Sequence, residues 1–155
     1  MSHDVFISYS KPDKTKADAV CSLLERAGIR CWVAPRDVLP GETWGGSIVR
    51  AIQSSRVMIL VLSSNSNQSS HVVREVERAV NRGLPIIPFR IDSTEPTGDM
   101  EFFIGSRHWL DALDPPLERH IERLAQVVKR LLAAELPADR VDEELAAGAP
   151  EGPAP

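Results

Sequence analysis

The sequence predicts an α/β fold in which a parallel β-sheet is covered by helices on both faces. Three observations predict it. Short apolar runs alternate with longer stretches whose apolar residues recur at helical spacing, the pattern of βα units. The run Val57–Leu62 is apolar at every position, as a buried strand is. The chain has 155 residues, the length of one domain with a proper core.

The elements follow in order. Val5, Phe6 and Ile7 read as a first strand. Lys11, Pro12 and Asp13 break that pattern, and Asp13 is of a type that caps the next helix. Ala17, Val20, Cys21, Leu24 and Ala27 recur at helical spacing, and Gly28 ends the helix. Residues 30–34 read as a second strand, followed by a loop over 35–43 rich in turn residues. A second helix begins near Trp44 with Ile48, Ala51 and Ile52 inward. The third strand, Val57–Leu62, leads to a helix capped by Ser69 or Ser70 and ending near Arg82 and Gly83. On it Val72, Val76, Ala79 and Val80 fall on one stripe at about 100° per residue. Residues 85–91 are a fourth strand, which Pro85 and Pro88 place towards an edge or in partial pairing. Residues 93–105 read as a long loop with one short helical turn, and residues 107–110 as a weak fifth strand. Leu117, Ile121, Leu124, Val128 and Leu131 mark an amphipathic last helix. From Leu136 the apolar pattern dissolves into an Ala/Gly/Pro-rich stretch that cannot offset its ordering entropy. The expected division is a domain over 1–135 and a flexible tail or linker over 136–155.

Composition narrows the function classes. The net charge is −4, so no basic patch is expected for nucleic acid or an anionic membrane surface. The apolar runs are too short to span a bilayer, and the first residues show no secretory signal, so a cytoplasmic protein is expected. Cys21 and Cys31 lack metal-site spacing and read as small core residues. His3, His71, His108 and His120 are scattered, so no metal site is expected. The chain contains no phosphate-cradling glycine motif and no GxSxG nucleophile elbow.

One stretch carries chemistry. Glu75 lies roughly 40° off Ala79, at the edge of the apolar stripe, with His71 one turn earlier on its side. A carboxylate and an imidazole therefore sit just past a strand end, where open parallel sheets bind ligands. The plainer reading is a solvated Glu among Arg74, Arg78 and Arg82, contributing only about 0.2–0.5 kcal/mol per exposed pair.

Four motifs occur together: VFISYS in the first strand, RDVLPGETW after the second, the spacing Ser64, Ser69, Val72, Glu75 after the third, and PIIPF in the fourth. In this order and register the chain resembles the Toll/interleukin-1 receptor (TIR) domain family, and most its bacterial branch. The likeness covers about residues 4–132. It implies a flavodoxin-like three-layer fold with a five-stranded parallel sheet. It also implies cleavage of NAD⁺ at the nicotinamide–ribose bond, giving nicotinamide and ADP-ribose or a cyclic isomer, in anti-phage immunity or virulence. By the same resemblance Glu75 is the catalytic residue, and Ser8, Tyr9, Trp32, Arg36 and His71 are substrate-binding. The loop Arg36, Asp37, Val38, Leu39, Pro40 and Gly41 is the expected assembly contact. His71 stands where such enzymes usually carry Trp. NAD⁺ is then substrate and no cofactor is implied. The expected partners are further TIR domains, as a homo-oligomer or filament, and a sensor domain after the tail.

The plainer readings stand beside these. Tyr9 covers the sheet edge, Trp32 is ordinary core, Arg36 and Asp37 hold a local turn, and Trp44 anchors its helix. Two other functions share the fold class. One is a TIR scaffold that only mediates protein–protein signalling; the other is an enzyme like the nucleoside deoxyribosyltransferases, which also use one Glu. The RDVLPG loop favours TIR over the latter. The chemistry suits the residues in hand. Nicotinamide is a cationic leaving group, the transition state is oxocarbenium-like, and one fixed carboxylate near the ribose stabilises it. Aromatic faces hold the pyridinium ring by stacking and cation–π attraction.

Overall fold

The computed structural model describes residues 3–134. The expected tail over 136–155 lies outside the described residues. Five parallel strands form one sheet: β1 (Val5–Ser8), β2 (Cys31–Trp32), β3 (Val57–Leu62), β4 (Ile86–Arg90) and β5 (Leu110–Asp111), in the order β2-β1-β3-β4-β5. Among the described residues six α-helices accompany them: α1 (Lys14–Arg26), α2 (Trp44–Ser54), α3 (Ser64–Asn67), α4 (Ser70–Arg82), α5 (Gly98–Ile104) and α6 (Leu117–Ala134). This is the flavodoxin-like arrangement. The strand order reverses direction at β1, so the crevice beyond β1 and β3 is its topological switch point.

Central β3 explains the layering. Its six residues are all buried. Val57, Ile59 and Val61 face the layer of α1 and α6 with Val20, Leu24, Leu124 and Val128. Met58, Leu60 and Leu62 face the opposite layer with Ile48, Ile52, Val72, Val76 and Met100. A strand with both faces covered by apolar side chains has no polar position, as its sequence shows.

Several expectations shift by a few residues. β4 is flanked on both sides, in register with β3 over five residue pairs and with β5 at Phe89 and Arg90 alone. Its prolines mark partial pairing rather than an edge. The fifth strand falls at Leu110–Asp111, past Trp109, whose ring instead lies 5.1 Å from the Arg90 guanidinium. The long loop after β4 contains the seven-residue α5. Ser69 rather than Ser70 caps α4, accepting from Val72 N–H at 3.2 Å. Gly83, at φ 72°, ends that helix in the left-handed conformation.

Asp13 departs most from expectation. It occupies the cap position of α1 but makes no side-chain capping bond. Its carboxylate accepts from Ser63 Oγ and, at 3.0 Å, from Asn65 Nδ2. Ser63 in turn caps α3, accepting from Ser66 N–H at 3.1 Å. The turn after β1 is thereby tied to the turn after β3, side by side at the carboxyl edge of the sheet.

Leu60 is wholly buried at the centre of the sheet. Leu60→Ala is expected to lower unfolding free energy by about 3 kcal/mol, read from urea denaturation midpoints at unchanged slope.

Candidate active site

The site begins with the last residue of β1. Ser8 is fully buried, and its hydroxyl donates to Glu75 Oε1 at 2.7 Å. Glu75 stands in the second turn of α4 and is only 8% exposed. Its other oxygen, Oε2, lies 3.0 Å from His71 Nε2, one helical turn back. The carboxylate is thus held at both oxygens, by one buried group and by one whose side chain is 62% exposed. Burying a carboxylate is costly unless it is hydrogen-bonded, and both contacts meet that requirement.

The pair shapes the titration of His71. The hydrogen bond with Glu75 raises the imidazole pKa, while partial burial and the Arg74 charge oppose it. A raised folded-state pKa stabilises the fold below the ordinary value of about 6.5, and that contribution is lost as pH rises through the raised value.

A cleft of about 490 Å³ opens over this carboxylate, within the range of small-molecule sites. Tyr9, Trp32, Ala34, Pro35 and Trp44 supply its apolar walls, and His71 and Glu75 its polar side. The Tyr9 hydroxyl donates to the carbonyl of Ala34, joining the chain after β1 to the chain after β2. Burial pushes that phenol pKa up. Trp32 stacks on Phe6 at 5.1 Å and 8° and is 5% exposed, so most of the ring is core and only its margin meets the cleft.

Tyr9, Trp32, His71 and Glu75 therefore converge. Ser8 does not open to solvent and acts on the site by holding Glu75. Arg36 lies elsewhere. Its guanidinium binds Glu25 through two bonds of 2.8 and 2.9 Å, the Cys31 carbonyl at 2.8 Å and Asp37. It fastens the base of its loop to α1 and β2 and is not among the residues lining the Glu75 cleft. Asp37 also accepts from Val33 N–H at 2.9 Å. Val38 packs on the core, whereas Leu39 is 62% exposed. Gly41 turns the loop at φ 85°, a conformation that favours glycine.

Three cleft residues escaped the sequence reading. Trp44, read as a helix anchor, is half-exposed on the rim, and Lys11 and Lys14 also line the cleft, the Lys14 ammonium donating to Asp18 at 2.7 Å. Their signal was position: each directly follows a loop at a strand's carboxyl end, where crevice residues arise. Among the described residues no group of three or more His, Cys, Asp or Glu side chains is arranged to hold a metal ion. Nor is any described helix long and apolar enough to cross a membrane.

Comparison with known proteins gives a consistent result. A family model described as the TIR domain matches residues 5–128. A TIR domain of the Toll-related receptor TRR-2 from Hydra magnipapillata superposes with a TM-score of 0.67 at 25% identity, covering 86% of this chain and 98% of that one. A metazoan TIR-STING receptor from C. gigas, solved in complex with 2′,3′-cGAMP, gives a TM-score of 0.69 at 26% identity over 81% of this chain and 39% of the receptor. The stimulator of interferon genes protein of Magallana gigas is 38% identical over 80 residues, 51% of this chain. The match spans about a fifth of that relative's length, 19%.

Ser8→Ala removes the buried donor to Glu75. Its expected cost is about 1–3 kcal/mol in urea denaturation, more than an exposed serine would show.

Proposed function

The chain belongs to the TIR domain family, and on that premise we propose that it hydrolyses NAD⁺ at the nicotinamide–ribose bond. The observation that carries this reading is the Glu75 carboxylate, fixed by Ser8 at 2.7 Å and set beneath an aromatic-walled cleft at the switch point of the sheet. A carboxylate held in place before the reaction stabilises positive charge as it develops on the ribose, at no reorganisation cost. Oε2 retains acceptor capacity beside its contact with His71, so a ribose hydroxyl can bind there. Tyr9 and Trp44 offer ring surface to the pyridinium, with the margin of Trp32 as floor. Lys11 and Lys14 suit the diphosphate that links the two halves of the substrate.

In this reading the C1′–N bond breaks as its electron pair moves to the nicotinamide nitrogen, which leaves neutral. The ribosyl cation is then captured by water, giving ADP-ribose, or by the adenine ring, giving a cyclic isomer. A cleft of about 490 Å³ leaves part of a dinucleotide exposed, which supports completion of the site by a second copy. Leu39 is an exposed apolar group suited to that contact, on a loop whose base Arg36 and Asp37 hold.

The second reading, a scaffold without catalysis, draws on one observation. An imidazole, with less stacking surface than an indole, stands at position 71, while Leu39 is exposed. Incubation with NAD⁺ and separately with deoxynucleosides, with free base read by chromatography, separates the enzyme, the scaffold and the deoxyribosyltransferase-like alternative. Nicotinamide release from NAD⁺ alone is expected. Glu75→Gln is expected to lower it by at least about 10²-fold with the far-UV circular dichroism spectrum unchanged. Wild-type turnover in that variant would refute the mechanism.

Assembly has its own readout. Specific activity is expected to rise with protein concentration, and Leu39→Asp, at an exposed position, is expected to flatten that rise without lowering the melting temperature. Constant specific activity across dilution, with only monomer in light scattering, would show that one copy carries the whole site.

A further inference from the structure

Position 71 is more than the loss of a stacking surface. In most exposed i,i+4 ion pairs both side chains move freely, and the pair contributes little. Here the carboxylate partner is 8% exposed and anchored at its far oxygen by the wholly buried Ser8. The imidazole is therefore held by a fixed group rather than a mobile one. With Nε2 donating its hydrogen to Glu75 Oε2 at 3.0 Å, the neutral ring has its lone pair at Nδ1. A buried carboxylate that fixes the tautomer and orientation of an imidazole is the arrangement by which catalytic triads prepare a base.

We propose that His71 is the general base that accepts the proton of the water attacking the ribosyl cation. This rests on the NAD⁺-cleaving reading and extends it. His71 lines the same cleft as Glu75, and its side chain is 62% exposed, so water reaches it. The surrounding charges suit the role. Lys11, Lys14 and the Tyr9 phenol face the cleft from the chain after β1, α2 contributes only the uncharged Trp44, and Arg74 lies beside His71 on α4. The Arg74 charge favours the neutral, basic ring, while the stronger effect of the Glu75 hydrogen bond raises its pKa towards neutral pH, where general bases work best.

The step balances as follows. The C1′–N bond breaks and its electron pair leaves with nicotinamide. The water oxygen bonds to C1′, and one water proton passes to Nδ1 of His71 and then to solvent. NAD⁺ and water are consumed; nicotinamide, ADP-ribose and one proton are released. Returning nicotinamide has no proton to lose, so its recapture needs no base. His71 thus decides how the ribosyl cation divides between hydrolysis and return.

The test measures incorporation of labelled nicotinamide into NAD⁺ alongside hydrolysis, as a function of pH, in the wild-type protein and in His71→Gln. Glutamine keeps a donor for Glu75 and removes the base. In the wild type the ratio of exchange to hydrolysis is expected to fall as pH rises and His71 loses its proton. In His71→Gln the ratio is expected to be higher by at least about tenfold, within the 10²–10⁴-fold reach of general-base removal, and flat with pH. An unchanged ratio and pH profile in His71→Gln would overturn the role of His71 while leaving NAD⁺ cleavage in place. A wild-type protein that releases no nicotinamide at any concentration overturns the cleavage reading itself. An NMR titration of the His71 ring checks the pair independently: its midpoint is expected to lie above 6.5 and to fall in Glu75→Gln. A midpoint indifferent to Glu75→Gln shows that no such pair forms and overturns the proposal.

Discussion

The hydrogen bond from Ser8 to Glu75 joins the end of β1 to the second turn of α4 across 67 residues of chain. A carboxylate so nearly excluded from water must have its oxygens satisfied, and that need fixes its surroundings. Ser8 must be a small hydroxyl residue at a strand end with no exposed surface. α4 must be rotated so that Glu75 faces inward beside Val72 and Val76 instead of outward with Arg74 and Arg78. The remaining oxygen must stay at the cleft, where His71 reaches it. Structural economy and chemical readiness coincide in this residue, since the groups that make its burial tolerable also hold it in one orientation.

The sheet supplies the frame for that bond. β1 and β3 pair over four residues, so Ser8 lies in register with Leu60 at the core of the sheet rather than in a mobile turn. The turns beyond the two strands are locked together by Asp13, which accepts from Ser63 and Asn65. Tyr9 ties the same edge to the chain beyond β2 through Ala34. The segments after β1, β2 and β3 are thus cross-linked by side chains from two of them and a backbone carbonyl from the third. The loop after β2 is built differently. Its first residues are held by Arg36 and Asp37, its middle packs through Val38, and Leu39 projects. A rigid base beneath an exposed apolar tip suits a contact with another molecule better than the closing of a lid.

The structure also resolves competing readings of single residues. Trp32 is chiefly a core residue stacked on Phe6, and only its margin meets the cleft. Arg36 and Asp37 hold the base of their loop, with Glu25 and the Cys31 carbonyl taking up the guanidinium. Glu75 departs from the solvated-surface account through the partner it finds on β1. Trp44 begins α2 as expected, yet its ring stands half-exposed on the cleft rim.

The sequence by itself determined the order and type of the main elements, the two covered faces of the sheet, the glycine stop at Gly83 and a serine cap at Ser69 or Ser70. These are local properties. The period of apolar residues, the φ open to glycine and the bond from a capping serine to a nearby N–H all act within a few residues. Tertiary structure decided the rest. It decided that Asp13 holds Ser63 rather than capping α1, that Arg36 turns to α1, and that Lys11, Lys14 and Trp44 meet across one cleft. It also decided that Glu75 is buried, though a helical wheel leaves it at the margin of the stripe. The physical reason is common to all four. Whether a polar side chain is buried, paired or exposed depends on what the chain brings opposite it from tens of residues away, and no periodicity within one element carries that information.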